Sequence, residues 1–181
     1  MPLLIDRLPF HSWTDASRSP PLTYWTVVVP IMVTEPTLAG PPAVGRVQNW
    51  VLDTGNRGEA FAWRHHLALA GLDPDAGRLP QPMTIRTVAG KIVVPVRDVD
   101  LWLVSNLTAG APPPHRIVLH RGLPFHDTPA IPDPHFQQPL IGVRALRSAG
   151  LRVEIDFARD TLSVWTPDPA PRASSAVATI A

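Results

Sequence analysis

Cysteine is absent from this 181-residue chain, which excludes disulfides and thiolate metal sites and leaves the redox compartment open. Charge is scarce as well. Acidic and basic side chains make up 17% of the residues and the formal net charge is +1, too balanced a set for a basic face that would take nucleic acid, or for an acidic tail. No run reaches the roughly 18 uninterrupted apolar residues of a membrane-spanning helix. The start, Met1-Pro2-Leu3-Leu4-Ile5-Asp6-Arg7, lacks the basic flank and apolar stretch of a secretion signal. These absences predict a soluble, cytoplasmic protein with neither nucleic acid nor membrane as partner. Phosphate-binding glycine loops, a dinucleotide fingerprint and a Gly-x-Ser-x-Gly elbow are also missing, which removes the common nucleotide-dependent and serine-hydrolase readings.

Proline is present in excess, with 23 copies. Each removes a backbone donor and breaks helices, so the chain is expected to be mostly β with extended, irregular joins. Hydrophobic residues at 45% are ordinary for one globular domain with a real core.

Residues 1–21 read as an N-terminal arm without a clear period. From Leu22 to Val33 the β-branched and aromatic residues predict one bent edge strand or two short ones, interrupted by Pro30. Val44 to Leu52 reads as a strand, Glu59 to Trp63 as its return, and Arg64 to Ala70 as a short helix stopped by Gly71. Met83–Val88 and Lys91–Val96 flank Ala89-Gly90 as a hairpin, and Val99 to Val104 alternates like a half-buried strand. Residues 106–139 read as a proline-rich insertion whose one clear strand is Ile117-Val118-Leu119. After a second short helix, Val143 to Ala149, the period-2 run Leu151–Phe157 and the segment Thr161–Trp165 make the clearest hairpin. Residues 167–181 read as a disordered tail.

The feature with chemical content is Asp53-Thr54-Gly55, directly behind the apolar Trp50-Val51-Leu52. Asp, Thr and Gly are also common turn residues, and the triplet arises by chance in roughly 3% of chains this long at average residue frequencies, so alone it decides nothing. A second segment joins it. Pro139-Leu140-Ile141-Gly142-Val143 runs from an apolar strand through glycine into a helix. Together the two motifs resemble the retropepsin-like, single-lobed aspartic peptidases, over roughly Leu22 to Trp165.

That resemblance implies a closed, barrel-like β lobe with one or two short helices, acting as a homodimer. Asp53 of each copy would supply one carboxylate of a catalytic dyad. Thr54 and Gly55 would shape the loop, and Leu140, Ile141 and Gly142 would support it from a strand crossing beside it. Val88, Ala89 and Gly90 would form the tip of a flap over an extended polypeptide substrate. No cofactor and no metal is implied. The chain departs from the family pattern at Asn56, where a small residue is usual, at Arg144, where relatives often carry Asp or Asn, and in the length of the insertion. These departures keep a second reading open, a catalytically inactive retropepsin-like module for dimerisation or peptide binding. A third is a plain β domain in which the triplet is a turn. The histidines offer little for a metal: His65 and His66 are adjacent and should diverge on a helix, and His115, His120, His126 and His135 lack ligand spacing.

Overall fold

A computed structural model describes residues 1–17, 19–37, 39–41, 45–54, 58–87, 90–128 and 138–167. Gly55, Asn56, Val88, Ala89, His135 and the tail from residue 168 lie outside the described residues. Strand accounts for 48% and helix for 8%, so the chain is mostly β with two short helices. Among the described residues no helix is long and apolar enough to cross a membrane.

The chain opens with β1 (Leu3–Pro9), then a hairpin of β2 (His11–Asp15) and β3 (Leu22–Thr26), followed by β4 (Val28–Thr34) and β5 (Val47–Asp53). Next come β6 (Ala60–Trp63), α1 (Arg64–Leu69) and the hairpin β7 (Met83–Thr87) and β8 (Gly90–Val94). The second half holds β9 (Val96–Arg97), β10 (Asp100–Leu103), β11 (His115–Ile117), β12 (Leu123–His126), β13 (Leu140–Gly142), α2 (Val143–Ser148), β14 (Arg152–Asp156) and β15 (Thr161–Trp165). Eight strands form the central sheet in the order β11-β10-β4-β5-β13-β6-β12-β9, while β1-β15-β14 form a second sheet. The central sheet ends at β11 and β9, which do not pair with each other. The expected closed barrel is therefore not formed among the described residues.

Both short helices end where the glycines are. Gly71 and Gly150 follow the last turns with φ of +83° and +71°, a conformation that a side chain would strain. Pro30 was expected to mark an edge strand, yet β4 lies inside the sheet between β10 and β5. Its carbonyl accepts from the Val104 N–H (3.0 Å), just beyond the last β4–β10 pair, Ile31 with Leu103. The donor that proline lacks falls where that ladder has already ended, so the sheet loses nothing.

Three other expectations change for one reason, long-range burial. The supposed N-terminal arm supplies β1, which pairs with β15 and buries Leu4 and Ile5 completely. The proline-rich stretch supplies β11 and β12, and Ile117, Leu123 and Phe125 are fully buried in the core. Strand β10 is buried along its whole length rather than on one face. Asp100 there accepts from the Arg116 guanidinium (2.6 and 2.9 Å) and the Thr37 N–H (2.9 Å), and the Trp102 indole donates to the Thr34 hydroxyl (3.0 Å). Burial of these polar groups is possible because each has a partner.

Candidate active site at the end of β5

Strand β5 delivers Asp53 because the residues before it belong in the interior: Trp50 is fully buried and Leu52 nearly so. The strand ends at Asp53, which is half-buried, and Thr54 beside it is exposed. On one flank the Leu52 N–H donates to the Val27 carbonyl (2.8 Å). On the other, β13 runs parallel to β5, pairing Leu140 with Val51, Ile141 with Leu52 and Gly142 with Asp53.

Strand β13 is three residues long and enclosed on both sides. It pairs antiparallel with β6 through Leu140–Phe61 and Ile141–Ala60. The Val51 N–H donates to the Pro139 carbonyl, and the Gly142 N–H donates to the Glu59 carbonyl, both at 2.8 Å. Ile141 is fully buried between the two neighbours. Gly142 puts no side chain beside Asp53, and α2 starts at the next residue, burying Ala145 and Leu146. Val51 before Asp53 and Glu59 ahead of β6 are thereby both bonded through backbone to one short strand and the residue preceding it.

Glu59 contributes more than its carbonyl. Its carboxylate accepts from the His120 N–H (2.8 Å) and meets His120 Nδ1 at 2.5 Å, tying the loop after Asp53 to a turn of the proline-rich stretch. Sequence spacing carries no signal for this pair, whose members are 61 residues apart. Two other histidines read as solvated loop residues are also fasteners: His115 Nε2 lies 3.1 Å from the Ala149 carbonyl at the end of α2, and His126 Nδ1 lies 2.7 Å from the Thr128 hydroxyl.

The rings of His65 and His66 were expected to diverge, but their centroids lie 3.9 Å apart. His66 is buried, and its Nδ1 accepts from the Trp63 N–H (3.3 Å), closing the first turn of α1. Burial, reinforced by the neighbouring His65, lowers the His66 pKa to about 4; burial also lowers that of His65. Among the described residues no group of three or more acidic or histidine side chains is placed to hold a metal.

The hairpin β7–β8 forms as expected, with Thr87 opposite Gly90 flanking the two tip residues. Gly90 takes φ +122°, accessible only without a Cβ. The hairpin is a two-stranded sheet of its own rather than part of the sheet that carries Asp53. Its base is fixed to β12, where the Phe125 N–H donates to the Pro95 carbonyl (3.1 Å). Asp53 and Leu140–Gly142 are thus neighbours across β5 and β13, with Thr54 following Asp53, while the candidate flap hairpin belongs to a separate two-stranded sheet. A separate concavity of about 280 Å³ lies on the terminal sheet, lined by Arg7, Glu154, Asp156, Arg159, Thr161 and Ser163. It belongs to different strands from Asp53, and within it Arg159 is paired with Asp156 at 2.7 Å.

No protein-family model matches the chain, and no curated protein matches it.

Proposed function

We propose that the chain is a homodimeric aspartic endopeptidase of the retropepsin-like type, with Asp53 of each copy forming the dyad. The observation that carries this reading is the pairing of Gly142 with Asp53, in a three-residue strand held between β5 and its return strand β6. It fits an acid held at a fixed position, with one flank left as bare backbone. One carboxylate cannot serve as both base and acid in the same attack, and each chain carries one Asp-Thr-Gly, so a second copy supplies the partner. Two carboxylates about 3 Å apart share one proton: the ionised one draws a proton from a water between them as it attacks the peptide carbonyl, and the protonated one donates to the carbonyl oxygen. The proton then passes to the leaving amine. Hairpin β7–β8 would close over an extended polypeptide, and no cofactor takes part.

The test is Asp53→Asn, assayed on denatured polypeptide between pH 5 and pH 7.5, with sedimentation equilibrium and circular dichroism alongside. The expected result is a loss of cleavage of about 1,000-fold or more in a dimer that remains folded. Undiminished cleavage would remove Asp53 from the mechanism. Polypeptide binding without turnover by the unsubstituted protein at every pH would instead favour the inactive binding module.

A further inference from the structure

Hairpin β2–β3 belongs to neither sheet, yet its root lies one residue from the candidate dyad. The Val27 carbonyl that ends it accepts from the N–H of Leu52, the residue before Asp53. Strand β5 runs towards Asp53 and β4 runs antiparallel away from it, so β3 approaches from the end of the sheet where Asp53 stands. On the other strand of the hairpin, the Phe10 N–H donates to the Asp160 carbonyl (2.9 Å), and the Phe10 ring meets Phe157 edge-on at 6.1 Å. Phe10 and Val27 both pack against the core, so the root is anchored to it.

Beyond the root the hairpin carries an aromatic side chain in the open. Trp25 is 61% exposed. It lies two residues from Val27, about 7 Å of extended chain. Side chains alternate along a strand, so Trp25 shares its face with Thr23 and, across the pair, with Ser12 and Thr14. The Thr14 and Thr23 hydroxyls meet at 3.0 Å. That face is uncharged, with one large apolar group among hydroxyls. Such a face suits an apolar side chain of an extended chain and offers no countercharge to an anionic ligand. It is also far smaller than the roughly 800 Å² per partner of a stable subunit interface.

We infer that hairpin β2–β3 is a wall of the substrate cleft, and that Trp25 receives a bulky apolar side chain of the polypeptide roughly three residues from the scissile bond, at ~3.3 Å per residue. This rests on the Asp53 dyad reading and adds a specificity determinant to it. Leu22 is on the opposite face of β3 and serves as an internal control.

The experiment uses synthetic peptides of six and twelve residues centred on a bond that the protein cuts in denatured casein, the longer ones carrying Phe or Ser at the distal position. Trp25→Ala is expected to lower kcat/KM about tenfold on the Phe-bearing long peptide and less than twofold on the short one. Trp25→Phe is expected to restore most of that loss, and Leu22→Ser to leave both within twofold. Equal losses at both lengths would overturn the assignment, and dissociation of the dimer in the same variant would identify a subunit contact instead. If the protein cuts no bond, the dyad reading fails on its own, and anisotropy of fluorescein-labelled denatured casein on Asp53→Asn decides the wall. Binding weakened about tenfold by adding Trp25→Ala supports it, and unchanged binding overturns it.

Discussion

Two Asp-Thr pairs stand at the ends of strands of the same central sheet, Asp53-Thr54 where β5 ends and Asp127-Thr128 after β12. Their neighbours differ. Asp127 lies 2.6 Å from the Arg64 guanidinium and 2.9 Å from that of Arg78, and both arginines also hold Asp75. Burial alone would raise the Asp127 pKa, but hydrogen bonds from Arg64 and Arg78 outweigh it and hold the group below the usual range. The hydrogen bonds that Arg64 donates, first to Asp75 and then to Asp127, hold it firmly protonated. The result is a clamp of fixed charge that joins α1, the turn at 73–78 and the end of β12. Asp53 is paired along the sheet with Gly142 of β13. The two aspartates share a dipeptide and a place at a strand end, and differ in the elements packed around them.

The contrast breaks most sharply on activity. Asp53→Asn is expected to abolish cleavage by on the order of 1,000-fold, whereas Asp127→Asn should change kcat/KM less than about threefold. Equal effects in a peptide assay would erase the distinction. The next largest effect tests what positions Asp53. Ile141→Ala removes a fully buried side chain from β13 and should cost about 2–5 kcal/mol in urea unfolding, with activity falling beyond the unfolded fraction.

Acid should then act on the clamp region in two separate pH windows. His66 binds its proton near 6.5 when unfolded and at about 4 when folded, so the unfolded chain takes up the proton first. Stability therefore falls as pH drops from about 6.5 to about 4 and levels off below, a loss of about 2 kcal/mol after allowing for the ring edge that meets solvent. Unfolding midpoints across that range check it, and His66→Gln should flatten the slope. The clamp follows a different window. The pKa values of Asp75 and Asp127 are depressed, so their contribution is complete above the unfolded value of 3.8 and is lost only as pH falls through the lower folded values. The smallest effect is Asp127→Asn on stability, no more than about 1 kcal/mol, because the clamp is partly exposed. A loss of several kcal/mol would make the clamp a core element and would blur its contrast with β13.

Where pattern and partner are both local, the sequence was legible. The β14–β15 hairpin, the β7–β8 hairpin, the two helices with their terminal glycines and the strand leading to Asp53 all formed where period and turn chemistry placed them. What misled was weak local signal. Leu3 to Pro9 shows no clear alternation, yet β15 recruits it as a sheet partner. Leu123-Pro124-Phe125-His126 sits among prolines, yet two of its apolar side chains fill the core. The Glu59–His120 tie and the Arg64–Asp127 clamp join residues 61 and 63 apart, beyond the reach of any spacing rule.

Asp53 stands at the end of an apolar strand because of its own neighbours in the chain, and Thr54-Gly55 follow it in the sequence. That much was determined by the sequence. Only the tertiary structure put Gly142 beside it, set Arg64 and Arg78 around Asp127, and rooted the Trp25 hairpin against Leu52. Alternation and turn residues act over a few positions, whereas the choice of strand partner is decided by which long-range pairing buries the most apolar surface while satisfying every backbone donor.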